Sequence, residues 1–302
     1  MLKKLTGFTL ALIGLTAFFI SSCTKQYEGI NSVDSTKIST YIKQNNLTGM
    51  VEDSAKTGYY YQILAPGTGK TFVNSDSVLY NYSIKGLDDG VLYLDNRPNG
   101  NYGSFVGYTY NISYQSASYT ILAVRDVMNK LKPGGSARIL VPSYLSFGRN
   151  GVGSIPANEN IDLTVTVYPE TNQALLDDRV IREYIANKGL TMTKDPSGVY
   201  YNVIKPGSGT YPITDNSSIY TKYSGMTRDG LVFDSDTTGT VLLTLGSGTI
   251  KGWTDVLPGK VQKGGQIRFI VPSALGYGTS TSGLINPNEV LDFNVTIMSV
   301  LQ

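Results

Sequence analysis

Apolar and polar residues alternate along most of this chain in short runs broken by Gly and Pro. Ser218-Ile219-Tyr220-Thr221-Lys222-Tyr223, Gln266-Ile267-Arg268-Phe269-Ile270-Val271 and Val290-Leu291-Asp292-Phe293-Asn294-Val295 carry the period of two expected of pleated strands. Short strands divided by tight turns predict an antiparallel sheet. Two stretches have a helical period instead. Leu176, Val180, Ile181, Tyr184 and Ile185 share one face, with Gly189 as a stop, and Ile38, Tyr41 and Ile42 lie behind an Asp34 or Ser35 cap. Trp253 to Val261 is the segment of the strand-rich body suited to a short helix, which would pack across the sheet. The expected class is α+β.

The pattern occurs twice. Tyr41-Ile42-Lys43 returns as Tyr184-Ile185-Ala186, and Gly58-Tyr59-Tyr60-Tyr61 as Gly198-Val199-Tyr200-Tyr201. The turns at Pro66 and Pro206 correspond, as do Val141-Pro142-Ser143 and Val271-Pro272-Ser273. So long a repeat means two copies of one domain, since solenoid periods run about 20–50 residues. The first copy holds a surplus around Asn96 to Ser118, rich in Gly, Asn, Ser and Tyr, that reads as an enlarged loop or an extra hairpin. The expected division is a leader at 1–22, a linker and helix at 23–57, one copy at 58–169, a helical linker at 170–196 and the second copy at 197–302.

The chain opens with Lys3 and Lys4, an apolar run from Leu5 to Ile20, and Ser21-Ser22-Cys23. This order predicts a secretory signal peptide, with an apolar run shorter than the roughly 20 residues of a membrane-spanning helix. Ile20-Ser21-Ser22-Cys23 resembles the lipobox of bacterial lipoproteins, which implies lipidation of Cys23, the single cysteine of the chain. Ordinary cleavage near Ser22 would instead leave a free thiol with no intramolecular partner. Thr24 lacks the aspartate of an inner-membrane retention signal, so the expected site is the outer membrane of a Gram-negative envelope, on its periplasmic or surface face.

Composition narrows the chemistry. The net charge is +2 with 16% charged residues, too little for a nucleic-acid surface. There are no histidines and no cysteine besides Cys23, so imidazole and thiolate metal sites and Ser-His or Cys-His nucleophile pairs are excluded. No metal and no cofactor is expected. The one tryptophan, Trp253, stands among Phe233, Asp234, Tyr277, Leu284 and Ile285. An indole offers about 150–250 Å² of flat apolar surface. With one carboxylate nearby, this is the composition of a hollow for a small apolar group such as a proline ring.

Tyr223-Ser224-Gly225, Asp229-Gly230-Leu231-Val232-Phe233-Asp234-Ser235, Ile250-Lys251-Gly252-Trp253, Leu275-Gly276-Tyr277-Gly278 and Leu284-Ile285-Asn286-Pro287-Asn288-Glu289 stand in one order. That order resembles the FKBP-type peptidyl-prolyl isomerases over about residues 197–302. The resemblance implies two FKBP-like domains, each a twisted antiparallel sheet wrapped on a short helix and preceded by an amphipathic helix. It implies a pocket of Tyr223, Phe233, Asp234, Val241, Ile250, Trp253, Tyr277, Leu284, Ile285 and Phe293. Trp253 would be its floor, the Tyr277 hydroxyl and Ile250 N–H would donate to substrate carbonyls, and Asp234, half-buried, would orient the Tyr223 hydroxyl. Implied partners are proline-containing polypeptide clients, rapamycin-like macrolides and, through the anchor, a membrane. Val241 stands where an aromatic is common, and Asn286 replaces a proline. In the first copy Val124 replaces Trp253, Phe147 replaces Tyr277, Leu163 replaces Phe293, and Tyr93-Leu94-Asp95 blurs the Phe-Asp pair, while Tyr82 is kept. The expected function is a prolyl isomerase active in its second copy, assisting the folding of exported proteins. A non-catalytic binding module (chaperone, adhesin or envelope-complex subunit) is the alternative, and a carbohydrate-binding lipoprotein a more distant one.

Overall fold

The computed structural model describes residues 29–95, 99–115 and 117–301. The leader at 1–22 and Cys23 lie outside the described residues. In chain order the elements of the first copy are helix α1 (Ile30–Gln44), strands β1 (Val51–Glu52), β2 (Tyr60–Ala65), β3 (Ser77–Gly86), β4 (Leu92–Asp95), β5 (Tyr102–Phe105), β6 (Asn111–Tyr114) and β7 (Ala117–Thr120), helix α2 (Leu122–Met128), and strands β8 (Ser136–Val141) and β9 (Ile161–Val167). The second comprises α3 (Gln173–Asn187), β10 (Thr193–Lys194), β11 (Tyr200–Lys205), β12 (Ser218–Met226), β13 (Val232–Asp236), β14 (Leu242–Thr244), α4 (Lys251–Val256), β15 (Gln266–Val271) and β16 (Leu291–Leu301).

Two seven-stranded sheets have the same order. One runs β1-β2-β8-β9-β3-β4 with β5 on β3, the other β10-β11-β15-β16-β12-β13 with β14 on β12. Every pairing is antiparallel. Both faces of each sheet are covered, because alternate side chains on a strand serve opposite layers. On β15, Ile267, Phe269 and Val271 join Trp253 and Val256 of α4 in one core, whereas Ile270 joins Ile181 and Tyr184 of α3 in another. In the first copy Ile139 and Val141 face Val124 and Val127 of α2, and Leu140 faces Ile38 of α1. Each unit is therefore a helix, a sheet and a helix in three layers.

The amphipathic helices are tied down by buried carboxylates, which corrects one expectation. Asp34 is not a cap: α1 starts earlier, behind Gly29. Asp34 sits within the helix and accepts from the Ser143 N–H (3.0 Å) and hydroxyl (2.7 Å). Its counterpart Asp177 accepts from the Ser273 N–H (2.8 Å) and hydroxyl (2.7 Å) in the same way. Asn172 is the cap of α3, accepting from the Leu175 N–H. The helix expected over Trp253 to Val261 is shorter, ending at Val256.

Candidate active site

Short helix α4 lies across its sheet because residue 252 has no side chain: a Cβ there would come within 2.5 Å of Val271 Cγ1. That close approach drives Trp253 into the core, where it is 3% exposed. Its ring makes edge contacts with Tyr223, Phe269 and Phe293, at centroid separations of 5.5, 5.6 and 5.5 Å. Gly225 on β12 does similar work, since a Cβ there would meet Phe233 and Phe293 at 2.7 and 2.8 Å. Those two rings cross edge-on in the space it leaves.

Above this aromatic bed is a hollow of about 340 Å³, within the range of about 300–1,000 Å³ usual for small-ligand sites. Tyr223, Phe233, Asp234, Ile250, Trp253, Tyr277 and Phe293 all line it, together with Leu243 and residues 247–249. The structure thus brings together seven of the ten expected wall residues. Val241 and Leu284 are not in the wall and lie on the surface, 43% and 55% exposed, while Ile285 is buried in the core behind it. The missing wall is supplied by β14 and the turn after it. Gly246 at φ +80° makes that turn possible, and the Gly-Ser-Gly run before Thr249 was its trace in the sequence.

The polar groups are few. The Tyr223 hydroxyl donates to Asp234 Oδ2 at 2.8 Å. Burial, and after it that hydrogen bond, pushes the Tyr223 phenol well above its ordinary value, so it remains a neutral donor. Asp234 is exposed rather than half-buried, because β13 is the edge strand of the sheet. Tyr277 is 38% exposed at the mouth. The Ile250 backbone N–H, at the start of α4, has no hydrogen-bond acceptor among the described residues. The buried Thr249 hydroxyl also lacks a partner among the described residues. The site is an apolar floor rimmed by neutral donors and one carboxylate, with no nucleophile beside a base.

Asp236 holds the loop that follows β13. Its Oδ1 accepts from the Thr238 hydroxyl and the N–H groups of Thr238 and Gly239, and its Oδ2 from those of Thr240 and Val241. The Thr238 hydroxyl and these backbone N–H groups hold the carboxyl well below the usual range. A depressed carboxyl stabilises the fold above its unfolded pKa of about 3.9, and that contribution is lost only as pH falls below it. Asp236→Asn, which cannot accept equally at both positions, is expected to speed amide hydrogen exchange at Thr240 and Val241 at pH 7 while leaving α3 unchanged.

The first copy's equivalent hollow is filled by its own surplus residues. These form the β6–β7 hairpin, whose Tyr114 and Tyr119 pack on Phe147 at 6.1 and 5.0 Å, whereas β5 is the counterpart of β14. Tyr102 stacks on Tyr82 at 5.1 Å, and Ile112 is fully buried beside Val124 and Leu163. Strand register places Ile84 where the second copy has Gly225, and Leu94 where it has Asp234.

Residues 209–298 match the family model of the FKBP-type peptidyl-prolyl cis-trans isomerases. The chain is 35% identical over 105 residues to the FKBP-type isomerase FkpA of Escherichia coli (strain K12), covering 34% of this chain and 38% of that protein. It is 36% identical over 107 residues to the outer membrane protein MIP of Legionella longbeachae, covering 35% of this chain and 45% of that protein. The match therefore spans less than half the length of these curated relatives. The crystal structure of FkpA from Escherichia coli is 30% identical and covers 42% of this chain and 60% of that one, with a TM-score of 0.36. The segment that builds the hollow over Trp253 belongs to the FKBP-type peptidyl-prolyl cis-trans isomerase family.

Proposed function

We propose that this chain is a peptidyl-prolyl cis-trans isomerase that assists the folding of exported proteins, with its activity in the second copy. The observation that carries the reading is the apolar hollow over Trp253 within the family-matched segment. Amide resonance sets a barrier of about 18–20 kcal/mol to rotation about an Xaa–Pro bond. A proline ring seated on the indole removes the amide from water and so disfavours its charge-separated planar form. The Tyr277 hydroxyl and the Ile250 N–H hold substrate carbonyls, while Asp234 fixes the Tyr223 hydroxyl. Val241, Leu284 and Ile285 contribute at most to the rim and its backing. Interactions stronger in the twisted state than in the planar one accelerate rotation without a covalent step. A gain of about 10⁴ requires only about 5.4 kcal/mol.

The first copy serves as a scaffold or client-binding platform, since its hollow is filled. The lone Cys23 after an apolar leader supports export and a lipid anchor at the outer membrane. Macrolides of the rapamycin type would occupy the same hollow as the proline ring. The domain limits, 58–169 and 197–302 with 170–196 between them, follow the repeat. The test is cis–trans exchange of a short proline peptide by the full chain: catalysis is expected from the native protein and a much weaker one from Trp253→Leu, and equal rates for both would overturn the reading.

A further inference from the structure

A second, larger cavity of about 690 Å³ lies between the two copies. The first copy contributes Tyr102, Tyr114 and Gln115 to it, and the second Thr279, Thr281 and Asn286. Its walls are locked together. The Asn101 N–H donates to the Pro287 carbonyl at 3.1 Å, and Asn288 Nδ2 donates to the Asn101 carbonyl at 3.0 Å. The Asn101 and Gln173 side chains exchange two hydrogen bonds, at 2.8 and 3.0 Å, and Gln173 reaches Asp177. Gly100 permits this approach, since a Cβ there would lie 2.7 Å from both Asn286 Cβ and the Pro287 carbonyl oxygen. The cleft is thus preformed rather than a gap between loosely tethered units.

Beside Leu94, Pro287 and the Asp95 carboxylate, its lining is mostly amide, hydroxyl and phenol, groups that hydrogen-bond a peptide backbone whatever its sequence. It is also next to the hollow: Tyr277 lines the hollow, and Thr279 and Thr281, two and four residues on, line the cleft. We infer that the cleft binds the extended stretch of client polypeptide flanking the proline held over Trp253. This rests on the isomerase reading for the position of the proline. A space about twice the volume of the proline hollow accommodates several residues of chain. It gives the first copy a role in catalysis on long substrates that its own filled hollow cannot have.

Two readouts on the full chain test this. One is isomerisation of a proline tetrapeptide, too short to fill both sites. The other is binding of a fluorescently labelled, reduced and carboxymethylated protein that stays unfolded, followed by anisotropy. Thr281→Arg, which fills the cleft, and Gln115→Gly, which strips the opposite wall at a φ of +48° that suits glycine, are expected to weaken unfolded-protein binding by about fivefold or more while tetrapeptide turnover stays within about twofold. Unchanged binding in both variants, or an equal loss in both readouts, overturns the cleft. A native chain that binds the unfolded protein but does not turn over the tetrapeptide overturns the isomerase reading instead.

Discussion

Trp253→Leu is expected to lower kcat/KM for a short Xaa–Pro peptide by about 10²-fold, the loss of about 2.7 kcal/mol of transition-state stabilisation. The indole is the floor of the hollow and touches three of the rings around it. Leucine keeps the site apolar but leaves it deeper, so the proline ring is no longer held against a flat surface. Because Trp→Ala in a core costs about 3–5 kcal/mol of stability, leucine is the better probe, and circular dichroism with urea unfolding confirms that the variant is folded. The corresponding change in the first copy, Val124→Ala, is expected to leave the rate unaltered.

Asp292→Ala is expected to destabilise the second copy by about 3–5 kcal/mol, the usual consequence of leaving a partly buried charge uncompensated. Asp292 is 1% exposed and takes two bonds from Arg268, at 3.0 and 2.6 Å, and a third from the Tyr184 hydroxyl at 2.8 Å. Burial, then Asp292 itself, raises the Tyr184 phenol to about 12, so that hydroxyl remains a donor. One carboxylate therefore fastens α3 to β15 and β16, beside Phe293 in the hollow. Urea unfolding measures the loss, and Asp292→Asn, which keeps an acceptor, should fall between the two. The first copy has the same Arg138–Asp162 pair, but there the Tyr41 hydroxyl accepts from Arg138 rather than donating to the carboxylate.

What the residues disclosed beforehand follows the range of the forces involved. The strands and the tandem repeat were legible because period-two patterning and turn glycines are local signals. Trp253, Tyr223, Phe233 and Phe293 were legible because large aromatics bury together wherever the chain brings them. Asp34 was opaque, since a carboxylate near a helix start reads as a cap until the serine corner it serves is seen in space. The surplus of the first copy was recognisable as a loop or hairpin, yet nothing local said that Ile112 and Tyr114 would close that copy's own hollow. Val241, Leu284 and Ile285 were misplaced as wall because an apolar residue in the right order can face inward, outward or behind. Leu243 and residues 247–249 line the hollow in their place.

The single tryptophan of the chain is also its own reporter. Titrating the full-length protein with a proline-containing peptide while exciting the indole measures occupancy of the hollow directly. A saturable change in Trp253 emission, with a midpoint matching the peptide's KM, is the expected result. Steady emission through concentrations that saturate turnover would contradict the claim that proline sits on that ring.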